Sequence, residues 1–435
     1  MYKLKRRFYL TAARWFWLFA SRSLKRWNPR VIIITGSVGK TTMLNLLATQ
    51  NLPAHFSHNA NSAFGIAFDI LGLEAVRGSR LRWIYLFFAS IVRSFSFTRR
   101  VKFYIVEVDA ERPREAELIA QKLNPEVVLT TPVGLSHASF FDPLVAQGKH
   151  KTALAAIQAE FAKISTYARS LALFAEPPQP APRGLSQPTG ENETAATRND
   201  GLAERRAEWS CCGGEAVHYR VEYNKTLFKT KSGTFNFAEP MPEEVGQQLL
   251  LLEYLMQYLD LPVVYDLKNF QLPPGRNNFL EGIKGTKLID SSYNAHLISM
   301  QSVLSMTKQI RWNHKWLVIS DMIQQGRAEQ SEHQKLAQLI LDVKAENVIL
   351  IGRRTAQSTL PLLQAAGQKV ESFTDVKQAL PYLEQNLTGS ELVVFKGSQY
   401  LEWLVEKLLK NPSDIKRLAR REKAAIVRRK KRGLS

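Results

Sequence analysis

The apolar positions of this chain come in short unbroken runs, each followed by a helical pattern. "VIIIT" (31–35) reads as a buried strand, and "TTMLNLLATQ" after it as a helix. "KFYIVEVDA" (102–110) predicts a second strand, Glu115 to Leu123 a helix behind Pro113, and "EVVLTT" (126–131) a third strand. After "HYRVEY" and a leucine-rich helix, "EEVGQQLLLLEYLMQYL", the alternation returns. "TKLIDSSYN", "KWLVISDM", "NVILIG" and "ELVVFKGS" are each followed by a helical stretch. Such alternation predicts an α/β protein built on parallel sheets. The expected order is a central parallel-sheet domain over 30–272, then a Rossmann-like α/β domain over 273–410, with "PPGR" (273–276) as the junction.

Three stretches break this pattern. Residues 177–208 are dominated by Pro, Gly, Asn, Thr and charge, and read as a long disordered surface insertion. Residues 1–29 read as a basic, aromatic, amphipathic helix. Their apolar stretch, Phe8 to Ala20, is 13 residues with Arg14 inside it, too short to span a bilayer, and no small-residue cleavage site follows. Two readings stay open there: a helix lying in an anionic membrane surface, or one packed on the body with a solvated basic face. "LRWIYLFFASIVRSFSF" (81–97) is likewise a buried or a partly membrane-facing helix.

Charge sharpens the picture. Residues 1–30 and 411–435 hold nineteen Lys/Arg against two acids, which is +17 of the total +20, so the body between them is nearly neutral. A nucleic-acid enzyme would carry its basic residues on the body, so no specific nucleic-acid partner is expected. The basic tail, 411–435, reads as a second electrostatic contact or as a disordered solubilising segment. The only two cysteines, Cys211 and Cys212, are adjacent, which argues for a reducing, cytoplasmic setting. Peripheral attachment to the inner membrane face is the finer expectation.

The candidate chemistry begins at "GSVGKTT". Gly36, Ser37, Val38 and Gly39 form a shortened phosphate loop whose backbone N–H groups close on phosphate oxygens. Lys40 reaches the β/γ-phosphates, and Thr41, followed by Thr42, offers a hydroxyl to Mg²⁺. Ile34 stands where the full pattern has its first glycine. Glu107 is a carboxylate inside an apolar strand, a costly placement unless it is paired or holds a metal; Asp109 competes for that role. His137 follows the third strand, and "VAQGKHK" supplies Lys149 and Lys151.

Together with "NANSAFGIAFDILGLE", "VEVDAERPREAELI", "NPEVVLTTPVGLSH", "PPGRNNFLEGIKGTKLIDSSYNA", "VISDMIQQG" and "FKGS", in this order, these blocks resemble the Mur ligase family, ATP-dependent amide-bond-forming enzymes of cell-wall synthesis. The resemblance covers roughly 30–410 apart from 177–215. It makes the central domain a P-loop-type ATPase and implies ATP and Mg²⁺ as cofactors. Thr41 and Glu107 would ligate one Mg²⁺, with His137 helping at a second. Lys149 would carry the family's carbamate, or Lys151 by an ungapped count. Asn59 and Asn61 would face substrate, and Asp321 and Lys396 would line the cleft. Arg276, Asp290 and Asn294 would serve the nucleotide, Asn294 in the block that approaches ATP.

The implied reaction is that of an acid–amino-acid ligase of peptidoglycan precursor synthesis. A substrate carboxylate takes the γ-phosphate, and an amine then displaces phosphate from the acyl group. The favoured pair is a muramyl peptide and D-Ala-D-Ala. The pattern also departs from the family's. Only about 30 residues precede the phosphate loop, where the family carries a UDP-sugar domain; a lipid-linked wall precursor would suit the basic helix there. "MPEE" (241–244) stands where an adenine-side Asn is expected, with Gln247 as a stand-in. Ser291, Ser320 and Asn278 replace family residues. The alternatives are a divergent ATP-binding scaffold at the membrane, and a P-loop GTPase or nucleic-acid-dependent NTPase. For the latter the guanine-reading Asn-Lys-x-Asp block is missing.

Overall fold

Strand β1 (Arg30–Thr35) is buried from Val31 to Thr35, because it pairs on both edges and is covered on both faces. The computed structural model that shows this describes residues 2–58, 60–74, 80–110, 112–135, 137–175, 208–211, 215–398 and 400–434. The segment expected to be a disordered insertion therefore lies outside the described residues, apart from Glu208, and so do Asn59 and Cys212. The chain divides into two compact units. One comprises Met1–Gly134, Phe140–Glu215 and Gln247–Pro262; the other comprises Leu135–Ser139, Ala216–Gly246 and Val263–Ser435.

The first unit is built on a six-stranded parallel sheet. Its strands after β1 are β2 (Ala54–Ser57), β3 (Phe103–Glu107), β4 (Val127–Thr130), β5 (Leu171–Phe174) and β6 (Glu208–Cys211), in the spatial order β2-β3-β1-β4-β5-β6. Ile34 pairs with Glu107 on one side, and Thr35 with Thr130 on the other. Helix α1 (Tyr2–Trp27) precedes the sheet, and α2 (Lys40–Ala48), α3 (Ala63–Ile70), α4 (Arg80–Ser96) and α5 (Glu115–Leu123) follow its first strands. Short α6 (Asp142–Ala146) leads to α7 (Ala153–Ser165), and most of α8 (Val245–Tyr258) also belongs here.

Helix α1 packs on the body. Ala13, Phe16, Trp17, Ala20, Leu24 and Trp27 are buried at helical spacing, while Arg14, Arg22, Lys25 and Arg26 stay exposed. Buried Glu115 ties three helices together. It accepts from the Tyr9 hydroxyl of α1 at 2.6 Å and from the Ala63 amide at the start of α3 at 3.1 Å. At the sheet's opposite end Arg30 holds Glu126 at 2.6 Å, and Tyr258 of α8 donates to the same carboxylate at 2.9 Å. The Arg30 hydrogen bonds keep that carboxyl below its ordinary range.

The second unit carries a three-stranded antiparallel sheet, β7 (His218–Glu222), β8 (Lys225–Lys229) and β9 (Thr234–Phe237). It also carries a six-stranded sheet of β10 (Asn278–Glu281), β11 (Lys287–Ser291), β12 (Lys315–Ser320), β13 (Asn347–Ile351), β14 (Val370–Phe373) and β15 (Leu392–Lys396). The order is β10-β11-β15-β12-β13-β14, and only β10 runs antiparallel. Helices α9 (Leu297–Gln309), α10 (Glu329–Val343), α11 (Arg353–Ser358) and α12 (Leu360–Ala365) connect its strands, followed by α13 (Val376–Asn386), α14 (Leu401–Lys407) and α15 (Lys423–Lys431).

The boundaries differ from the sequence reading: residues 135–139, 216–246 and 263–272, expected in the central domain, fall in the second unit, so "PPGR" lies inside it, and the C-terminal stretch differs as well. Residues 216–246 sit with the second unit and not with the sheet before it, because Val221, with Tyr219 and Tyr223, packs into the cluster of Met300, Leu304 and Leu317. The basic stretch 411–435 is not a free tail. Leu418 and Leu434 are buried, Arg421 and Arg429 both reach Glu406 (2.7 and 2.8 Å), and Arg417 reaches Glu239 at 3.1 Å. Four of its ten Lys and Arg, Arg417, Arg420, Arg421 and Arg429, pair with acids outside the stretch.

The burial of α1 carries a stability consequence. Trp17 is fully buried, so Trp17→Ala is expected to lower the unfolding free energy by about 3–5 kcal/mol, read from the shift in the urea midpoint of the full chain.

Candidate active site

The phosphate loop stands where β1 ends. Gly36 (φ 124°) and Gly39 (φ 87°) are both left-handed, and neither has room for a side chain: a Cβ on Gly36 meets Thr131, and one on Gly39 meets the side-chain amide of Gln248 on α8. The amides of Ser37 and Val38 donate to the Pro132 carbonyl at 3.0 and 3.3 Å. The hydroxyl of Ser37 meets Gly134. The loop then opens α2, whose first residue is Lys40.

Lys40 is almost fully buried. Its Nζ donates to the Gly36 carbonyl at 2.6 Å and stands 3.4 Å from Asp109 Oδ1. Thr41 Oγ1 donates to Glu107 Oε2 at 2.8 Å. Glu107 reaches this position because β3 is parallel to β1 and ends beside it. The Asp109 amide donates to the Asn61 carbonyl at 3.1 Å, which draws the Asn61 segment to the same edge. The sheet thus brings together Gly36 to Thr41, Glu107, Asp109 and Asn61.

Thr41 and Glu107 offer a hydroxyl and a carboxylate at one helix N-terminus. Hard oxygen donors in so small a number suit Mg²⁺, which takes its remaining ligands from water and phosphate. Among the described residues no group of three or more His, Cys, Asp or Glu gathers as a self-sufficient metal cage. Thr42 is buried one residue further into α2. Lys149 and Lys151 are exposed in the turn between α6 and α7.

The second unit has its own polar cluster at the ends of β11 and β15. Asp290 is fully buried; one oxygen accepts from the Ser292 amide at 3.0 Å, and the other has no hydrogen-bond partner. Burial raises its carboxyl to about 6, against the Ser292 hydrogen bonds. Lys396 donates to the Asn294 carbonyl at 2.7 Å and is held down to about 7, first by burial and then by the charge of Arg276, with Asp290 opposing. Arg276 lies 4.9 Å from the centre of the Tyr293 ring.

His137 belongs to this unit. Its Nδ1 faces Gln324 Oε1 at 2.9 Å, and its ring lies 5.9 Å from that of His296. Asp321 turns to α11: its Oδ1 accepts from the Thr355 amide and hydroxyl at 2.9 and 3.1 Å, and Arg354 stands 3.4 Å from its Oδ2.

Sequence reasoning missed Gln248 and Arg420. Gln248, not its neighbour Gln247, lies against Gly39, and its buried Oε1 has no partner. Only the phase of α8 distinguishes the two. Arg420 donates to the carbonyls of Ser292 and Tyr293 and pairs with buried Glu402 at 2.8 Å. It sits in a stretch whose composition signalled nothing but charge.

Residues 275–399 match the Mur ligase glutamate ligase domain. Over 414 residues the chain is 20% identical to the UDP-N-acetylmuramoyl-tripeptide–D-alanyl-D-alanine ligase of Bacillus subtilis, covering 90% of this chain and 79% of that one. The Rickettsia prowazekii ligase of the same name is 28% identical over 151 residues, or 35% of this chain and 33% of its own. The MurF ligase of Thermotoga maritima, solved in complex with ADP, superposes with a TM-score of 0.66 at 17% identity, over 91% of this chain and 82% of that one. The chain carries a Mur ligase domain on a Mur ligase fold. The matched domain holds Arg276, Asp290, Asn294, Asp321 and Lys396.

The depressed lysine has a consequence for pH. Between about pH 7 and its ordinary value of 10.5, the unfolded chain keeps a proton on Lys396 that the folded chain releases, so this group's contribution to stability rises with pH across that window. Asp290 acts in the opposite sense: its contribution is full below its ordinary 3.8 and is lost as pH climbs through about 6. Lys396→Met is expected to stabilise the protein more at pH 7 than at pH 10. Urea unfolding at the two pH values measures the difference.

Proposed function

We propose that this Mur ligase joins D-alanyl-D-alanine to the tripeptide carboxylate of a UDP-linked muramyl peptide at the expense of ATP. The observation that carries the reading is the constellation of buried Lys40 and Glu107 with half-buried Thr41 and the loop glycines. It stands on a chain that aligns along 90% of its length with a ligase of that name.

The steps follow from the chemistry. A carboxylate oxygen of the peptide attacks the γ-phosphorus, the bond from that phosphorus to the bridging oxygen breaks, and ADP leaves. The amine of the dipeptide then attacks the acyl carbon, loses a proton, and expels inorganic phosphate. Lys40 neutralises charge on the transferring phosphoryl group, and the N-terminus of α2 directs its amides there. Mg²⁺, held by Thr41 and Glu107, would neutralise the phosphate oxygens and keep the transferring group in line.

Asn59 and Asn61 are assigned to the peptide side. Gln247 is assigned to the base, and Gln248, against Gly39, to the phosphate loop. Lys149 is assigned the carbamate, with Lys151 as the alternative, and His137 a supporting role. Arg276, Asp290 and Asn294 are assigned to nucleotide, and Asp321 and Lys396 to the substrate cleft. Retention of Lys40 on the loop carbonyl and of the Thr41–Glu107 pair favours an enzyme over a divergent ATP-binding scaffold. A cytoplasmic location with peripheral attachment to the inner membrane face is part of the proposal. It is supported by the charge concentrated at the two ends of the chain.

ADP release should require both the UDP-linked tripeptide and the dipeptide, with a pentapeptide product of matching mass. No ADP release with both substrates present, from a protein that still binds ATP, would sink the substrate assignment. Lys40→Ala and Glu107→Ala should each lower turnover by at least about 10²–10³-fold while the thermal unfolding profile is retained. Near-normal turnover in the double variant would remove the site.

A further inference from the structure

The ligase chemistry leaves one surface unused. Helix α4 has a buried face and an exposed apolar one. Leu86, Ser90 and Ser94, four residues apart, are buried. The helix packs against α1, where the rings of Trp15 and Phe87 stack with centres 3.6 Å apart. Nearly opposite these residues on the helical wheel stand Ile84, Phe88, Val92 and Phe95, with Phe88 61% and Val92 64% exposed. Eight of the fifteen large hydrophobic residues exposed among the described residues fall on α1 and α4. Isolated exposed apolar residues need no explanation, but a concentration of this kind marks a surface that is covered in use.

The rim identifies what covers it. Together α1 and α4 contain eleven Lys and Arg and no Asp or Glu. Two of these cations are fixed at the end of the ridge. The Arg22 guanidinium lies 4.0 Å from the centre of the Phe95 ring, and Arg26 donates to the carbonyls of Phe95 and Phe97. With Lys25 they edge an open cleft whose apolar walls include Leu18 and Phe95. An apolar ridge beside a rim without a single acid complements acyl chains beneath anionic headgroups. Neither helix is long and apolar enough to cross a membrane.

We propose that the outward face of α4, edged by the cations of α1, docks on an anionic lipid bilayer, with the ridge lying among the acyl chains and Arg22, Lys25 and Arg26 at the headgroups. The proposal rests on the peripheral location put forward above. It moves the contact from the terminal charges to α4, and it needs nothing from the ligase chemistry.

The test is co-sedimentation of the purified full-length chain with vesicles of phosphatidylcholine alone, or of phosphatidylcholine mixed with phosphatidylglycerol. Binding should be confined to the mixed vesicles. Phe88→Ser with Val92→Ser, and separately Arg22→Glu with Lys25→Glu, should each weaken it at least about tenfold, with ADP release and circular dichroism unchanged. Arg428→Glu with Lys430→Glu and Lys431→Glu should leave it within about twofold. Loss of binding in that C-terminal variant alone would overturn the ridge and leave the terminal charges as the anchor. Absence of binding to either vesicle would overturn both. A dimer in sedimentation equilibrium that the α4 substitutions dissolve would make the ridge an interface between two copies of the chain, and the lipid assignment would fall.

Discussion

The parallel pairing of β1 between β3 and β4 is the constraint on which the candidate active site depends. A phosphate loop needs a rigid strand beneath it, and a strand buried on both faces and paired on both edges has no freedom to slide. The register places Ile34 beside Glu107 and Thr35 beside Thr130. A slip of one residue would turn Glu107 to the sheet's other face and separate it from Thr41. The unbroken apolar run from Val31 to Ile34 is therefore a positioning device for chemistry that happens a few residues later.

The second unit uses the same principle with different contents. Its β11 and β15 are parallel neighbours, with Ser291 opposite Lys396, so Asp290 and Lys396 are delivered to one edge by their strands. Both groups are stripped of water there, and burial pushes their proton affinities toward each other. A lysine kept near neutrality and a carboxyl partly protonated near pH 6 interact less strongly than a full ion pair would. That leaves each of them responsive to whatever charge arrives.

Much of the fold was legible because buried parallel strands write themselves as continuous apolar runs, and the order of blocks pointed to the loop and Glu107. What escaped depended on contacts between residues distant in sequence. The stretch 411–435 reads as a free basic tail until Glu239, Glu402 and Glu406 are seen to receive its arginines. Residues 216–246 read as part of the central domain until Val221 is found in the core of the second unit. The contacts of Asp321 with Thr355 and Arg354 are likewise set by α11, more than thirty residues away. Gln247 and Gln248 differ only in helical phase, which periodicity over so leucine-rich a segment does not settle.

The carbonyl of Pro132 gives the phosphate loop an acceptor of its own. With Ser37 and Val38 both directed at it, two of the loop's amides already have a partner within the protein. A phosphate group that took those two amides would do so by exchange. What it gains is the difference between a charged phosphate oxygen and a neutral peptide oxygen, not the whole strength of the new hydrogen bonds. Discrimination against inorganic phosphate and sulfate, which are plentiful in a cell, can thus begin at a proline carbonyl that never touches the reaction.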